Sequence, residues 1–256
     1  MVDAQLPGLA ERVRAMSSAV HGRDDWLDHL LAELGRWWTA VQAWRSWPDL
    51  DDATRGDLRA YLGWATASDD VRTGDAEATT PAAWQVLGAH RSDDGRLLEQ
   101  RTWLRSAASG EVVQVLDFAA GGAPLPVAHL TGSVLEVAVA RYPGSAPQRA
   151  LFAEPPVPVA QGAALPGGGT VAHALDDLAS VWSHNPWAVR APVVVRGAVV
   201  ARADGPPVLV DGTGAALPLL LDEPWDLLAR TGGHASDVFG ELEESGLRPL
   251  TVTEVA

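Results

Sequence analysis

The chain has 256 residues, 47% of them hydrophobic and 20% charged, and a formal net charge of −14. That is apolar material enough for a real core and for two or three small domains, while no apolar run approaches the ~18 residues of a membrane span. Cysteine is absent, which excludes disulfides, thiolate nucleophiles and every cysteine-containing zinc site. All nineteen basic residues are arginine and isoleucine is also missing, a bias that a GC-rich genome explains without reference to function. The acid surplus disfavours nucleic acid as a partner, because such binders present a basic face to phosphate. The first residues, MVDAQLPGLAERVRAM, lack a basic start followed by an apolar stretch, so no secretory signal is read and a cytoplasmic location is expected.

Residues 1–66 read as a helical unit of three helices. Leu6, Leu9, Val13, Met16 and Val20 share one helical face, ended by His21-Gly22. In the second helix, capped by Asp24 or Asp25, Leu27, Leu30, Leu34, Trp37, Val41 and Trp44 follow in 3-4 spacing, flanked by Leu31 and Trp38, until Pro48 stops it. A third helix, capped by Asp51 or Asp52, turns Leu58, Tyr61, Leu62 and Ala65 inward. The indoles at helical spacing are expected in the core. Trp47 lies outside the stripe and is the tryptophan expected to be exposed.

Residues 67–82 are polar and rich in turn formers, which predicts a linker. From 83 to 154 the period changes to two, predicting an antiparallel β module of five strands. Residues 155–169, PPVPVAQGAALPGGG, are expected to be a Pro/Gly-rich linker. The three glycines before Thr170 lack the lysine of a phosphate-binding loop and are read as a hinge ahead of a helix capped by Thr170, within a connecting segment 170–187. Residues 188–256 order as three strands, a short helix and two strands, the order of a small oligonucleotide- or oligosaccharide-binding (OB) barrel. Asp211-Gly212 marks a hairpin turn and Gly232-Gly233 a helix end. The fold class is therefore α+β, with an N-terminal three-helix unit, a central antiparallel sheet or barrel, and a C-terminal OB-like barrel with one short helix.

The last block carries five arginines against ten carboxylates, so the barrel itself is acidic. Its aromatic residues are Trp225 and Phe239 alone, short of the stacking set that single-strand binders use. A nucleic-acid role would need Arg190, Arg196, Arg202 and Arg248 to converge on one face with Phe239 or Trp225. With Trp47, these are the candidate partner-binding residues. No GxSxG elbow or HExxH is present; the seven histidines are scattered, with His184 seven residues after Asp177. Glu99, Glu111, Asp117 and Glu136 fall on predicted strands, where carboxylates usually face water. No catalytic, cofactor-binding or metal-binding residue is assigned.

The phrases MVDAQLPGLA, RTWLRSAASGEVVQVLDFA, ARYPGSAPQRAL, VLVDGTGAALPL and VFGELEESGLRPLTV resemble the C-terminal body of bacterial SWIM zinc-finger family proteins, chiefly actinobacterial. The family's C-x-C and C-x-H zinc motif has no counterpart among these residues, so no zinc ligand carries over and no cofactor is expected. The resemblance implies that Met1 corresponds to an internal methionine, and that the sequence is a fragment, a misassigned start or a finger-less variant. It also implies a non-catalytic interaction or scaffold protein. Partners implied by the resemblance are a MoxR-like ATPase or a von Willebrand A-type protein, with no membrane. The alternative is a nucleic-acid-binding accessory protein using the OB-like module.

Overall fold

In this computed structural model the described residues are 6–22, 25–95, 97–202, 205–221 and 223–254. Three helices open the chain: α1 (Pro7–Gly22), α2 (Trp26–Arg45) and α3 (Asp52–Leu62). The Asp51 carboxylate accepts the Thr54 N–H at 2.7 Å, satisfying one of the orphan donors of the first turn. Asp25 occupies the N-cap of α2 without a side-chain capping bond; Asp24 lies outside the described residues. At the end of α3, Gly63 takes a left-handed conformation, and a Cβ there would lie 2.4 Å from the Gly8 nitrogen. Only glycine allows α3 to end against the start of α1. The helical core is small: Ala40, Leu58, Tyr61 and Leu62, completed from far downstream by Trp187. That indole stacks on Tyr61 at 5.8 Å and donates to the Arg36 carbonyl at 3.1 Å.

The expected linker 67–82 is not extended. Ser68–Gly74 forms α4, with Asp69 and Asp70 in its first turn, where carboxylates offset the helix dipole. The central sheet then has seven strands: β1 (Ala82–Asp93), β2 (Leu97–Ser106), β3 (Val112–Ala120), β4 (Val134–Val137), β5 (Val139–Arg141), β6 (Gln148–Phe152) and β7 (Val157–Ala160), ordered β5-β6-β3-β2-β1-β4-β7. The β1-β2-β3 meander agrees with the period-two reading. Two features correct it. The run SVLEVAVARY breaks at Ala138, sending β4 to pair with β1 and β5 to pair with β6 on the far side. In addition, β3 and β6 are parallel, so the sheet is mixed rather than antiparallel. The Pro/Gly-rich stretch also contributes β7, an edge strand, the position in a sheet that tolerates proline.

Helix α5 (Val171–His184) follows, its first turn capped by Thr170, whose hydroxyl accepts the His173 N–H at 3.3 Å. The last block folds as β8 (Ala191–Ala201), β9 (Val208–Val210), β10 (Ala216–Pro218), α6 (Trp225–Thr231), β11 (Ser236–Glu243) and β12 (Gly246–Glu254), ordered β10-β9-β8-β11-β12. A parallel bridge between Leu219 and Leu247, with the Leu220 N–H donating to the Leu247 carbonyl at 2.8 Å, brings the end of β10 beside β12. That pairing, with α6 between the third and fourth strands, is the five-stranded Greek-key arrangement of an OB-type barrel. Asp211 shapes the β9–β10 turn by accepting from Thr213, and its second oxygen accepts the Val171 N–H at 2.7 Å, tying α5 to the barrel. Val171, Ala174 and Leu178 of α5 join Val195, Leu209, Leu217, Leu242 and Leu247 in one core.

The two β modules pack together. Leu87 and Trp103 from the central sheet meet Val194 and Phe239 from the barrel, with Leu165 between. The Thr251 hydroxyl donates to the Leu87 carbonyl at 2.6 Å. Gly88 permits the approach, since a Cβ there would lie 2.9 Å from Leu250 and Thr251 side-chain atoms.

Candidate functional site

Beside that apolar junction lies a cluster of charges. From β2, the Arg101 guanidinium donates to both Glu241 oxygens, at 2.5 and 2.9 Å, and also to Glu99. The Trp103 indole donates to Glu241 at 2.7 Å. Glu241 has no solvent exposure. Burial pushes its carboxyl up, but the Arg101 hydrogen bond and charge, with Arg190 and Trp103, more than offset this and hold it below its ordinary value. Arg190 stands 3.9 Å from Glu241 and 3.6 Å from Glu243. Burial, with Arg101 beside it, lowers the Arg190 guanidinium. Both Glu241 oxygens are committed to donors from the other sheet, so the group acts as a clamp between modules.

Of the arginines read from the sequence, Arg196 and Arg202 are held apart, each by its own partners, while Arg190 and Arg248 meet at one carboxylate. Arg196 bonds Asp237 and the carbonyls of Gly167 and Leu165. Arg202 bonds Glu223 at 3.0 Å. Arg190 and Arg248 both approach Glu243, Arg248 at 4.0 Å. Trp225 is exposed at the start of α6, but Phe239 is 1% exposed inside the inter-module core, so it presents no surface. Trp47 corrects its expectation too. It is half-buried against the helical core, with the Trp44 ring at 5.3 Å and the Arg55 guanidinium over it. Within the helical unit the described tryptophans left in the open are Trp38 and Trp44.

Those two belong to the largest departure from the sequence reading. Of the apolar stripe of α2, Trp37 packs against the core of the helical unit, but most of the stripe and its flanking residues stay outside it. Leu27, Leu31, Leu34, Trp38, Val41 and Trp44 are all about half exposed or more, Leu31 reaching 71%. Spaced at 27, 31, 34, 38 and 41, five of them form one row along four turns of helix. Gly35 sits beside the row, with nothing within 4 Å of where its Cβ would stand. The C-terminal half of α2 borders an apolar groove of about 470 Å3, walled by Leu6, Leu9, Trp37, Ala40, Leu62 and Trp64. An exposed apolar row of this extent makes this face of α2 the candidate contact surface. Residue spacing alone could not show it, because a stripe buried within the chain and one left for another helix have the same period.

The remaining constellations have structural partners. Gly168 and Gly169 lie against β8, the Gly169 N–H donating to the Val194 carbonyl and the Arg196 N–H to the Gly169 carbonyl, which assigns the glycines to close packing. Of the strand carboxylates, Glu111 accepts from Arg141 at 2.7 Å and Glu99 from Arg101, while burial raises the Asp117 carboxyl. His184 Nδ1 lies 2.8 Å from the Ser180 carbonyl. Among the described residues no group of three His, Cys, Asp or Glu side chains gathers as a metal site. No helix among them is long and apolar enough to cross a membrane.

Residues 1–62 match the family model of the SWIM-associated four-helix bundle domain. No curated protein and no solved structure matches the chain. The match covers the segment that bears the exposed α2 row, and three of the described helices, α1 to α3, fall within it.

Proposed function

We propose that this chain is a non-catalytic interaction or scaffold protein resembling the body of bacterial SWIM zinc-finger family proteins, and that it works through protein partners. The observation that carries the reading is the exposed α2 row. A stretch of leucine, valine and tryptophan along a helix is costly to leave in water and is covered by a partner helix at little cost. The match to a four-helix bundle domain, over a segment with three described helices, supports the same reading. The chain contributes no cysteine to a zinc site; on this reading it acts in the cytoplasm without a metal or cofactor of its own. The family resemblance nominates a MoxR-like ATPase or a von Willebrand A-type protein as partner.

Co-purification of the chain with each of these two proteins from its own host tests the proposal. The expected result is a stoichiometric complex with one of them, lost when Leu31→Asp and Trp38→Asp are combined. Failure of both to co-purify, or a complex indifferent to the double substitution, overturns it. The OB-type strand order supports a second reading, a nucleic-acid-binding accessory protein. Titration with labelled single-stranded oligonucleotides at two salt concentrations separates the two, since phosphate contacts weaken with added salt. The internal pairing of Arg190, Arg196, Arg202 and Arg248 favours the protein-partner reading.

A further inference from the structure

A second cavity, of about 670 Å3, lies between α3 and the β5–β6 turn. Its walls are fixed by two close approaches. Gly56 rests on the turn backbone, where a Cβ would stand 2.6 Å from the Pro143 carbonyl. The Asp57 carboxylate accepts both the N–H and the hydroxyl of Ser145, at 3.1 and 2.6 Å. Burial raises the Asp57 carboxyl, the Ser145 bonds opposing. The turn and the helix therefore form one rigid wall, and the cavity is comparable in volume to small-molecule sites.

Three arginines line this cavity: Arg55 and Arg59, one turn apart on α3, and Arg149 on β6. Arg55 is committed to Asp52 and to the carbonyls of Trp47 and Pro48. Arg59 and Arg149 differ from the arginines of the inter-module clamp. No carboxylate among the described residues lies within ion-pair distance of either; each is held by an aromatic ring instead. The Arg59 guanidinium lies 5.5 Å from the Trp64 ring centre, and that of Arg149 lies 4.4 Å from Tyr142 and 5.7 Å from Phe118. A ring takes up the face of a guanidinium and leaves its N–H edge free to donate. Asp52 and Asp57, the carboxylates that line the cavity, are already engaged by Arg55 and Ser145. Gln114 and Asn185 add neutral amides to the lining, and Trp47 adds apolar surface.

We propose that this cavity binds an organic phosphate of about nucleoside-diphosphate size, with Arg59 and Arg149 donating to its phosphate oxygens. Two guanidinium edges free of carboxylate suit the several oxygens of a phosphate chain, and the volume accommodates a body attached to it. This site is separate from the α2 row, so it stands or falls independently of the interaction proposal.

Isothermal titration of the full chain with ADP at low salt is the test, with adenosine as the uncharged comparison. ADP is expected to bind with a dissociation constant below about 1 mM, and adenosine at least roughly tenfold more weakly. Combining Arg59→Ala with Arg149→Ala is expected to weaken ADP at least roughly tenfold, while Arg230→Ala, a surface charge removed elsewhere, changes it less than about twofold. Both mutated side chains are exposed, and thermal unfolding of each variant by circular dichroism is expected to match wild type. No ADP binding, equal binding of adenosine, or ADP binding unchanged in the folded double variant overturns the proposal.

Discussion

The barrel and the helical unit use the same currency of leucine and valine and settle it differently. In the barrel, β8 to β12 close on themselves, and α5 covers them, so Leu209, Leu242 and Leu247 reach essentially zero exposure. In the helical unit, three helices enclose only a small core, and much of the α2 stripe that reads as core is left outside. Closure of a sheet satisfies its inner face within one chain, whereas a helix can present apolar residues on more than one side. Periodicity therefore reports that a face is apolar. It does not report whether the same chain covers that face.

The sharpest way to break the comparison is at the clamp that joins the barrel to the central sheet. Glu241→Ala would leave Arg101 buried without its partner and is expected to cost about 3–5 kcal/mol of stability by chemical denaturation. The same group sets a pH dependence. Because its folded-state value lies below the ordinary 4.5, its contribution is present above about pH 4.5 and is lost as pH falls through the folded value. Denaturation curves between pH 3 and 7 are expected to show that loss in the wild type, and to show less of it in Glu241→Gln. An unchanged acid limb in Glu241→Gln would remove Glu241 as its source.

Next in size is the barrel core. Leu209→Ala, at a position with no exposure, is expected to cost about 2–5 kcal/mol through lost contacts and the cavity left behind. The smallest effect is expected on α2, where Leu31→Asp combined with Trp38→Asp should change the stability of the isolated chain by less than about 1 kcal/mol. If that pair costs as much as Leu209→Ala, the α2 row is an internal core after all. The contrast between the two regions would then be lost.

Much of the architecture was legible. The helices α1 to α3 follow from their 3-4 spacing, and the caps at Asp51 and Thr170 form as their residue types suggest. The order of the last block, with Asp211-Gly212 at a turn and Gly232 in a left-handed conformation, was enough to indicate the OB-type barrel. The stretch 67–82 misled because acidic turn formers also make good first helical turns, as Asp69 and Asp70 do in α4. The parallel β3–β6 pair was hidden because alternation reports which face of a strand is apolar and says nothing of its neighbour's direction. Phe239, named among the candidate partner-binding residues, is instead taken up in the core between the two β modules.

Composition alone determined the acid surplus and the exclusion of cysteine chemistry, and periodicity, which depends on residues one or two turns apart, determined most of the element types. Only the tertiary structure decided where the charges and apolar rows end up. Arg101 and Glu241 are 140 positions apart yet bonded, and Arg59 and Arg149 come to line one cavity from different elements. Trp187 leaves the connecting segment to complete the helical core. Each pairing depends on how separate elements pack, and no local pattern encodes that.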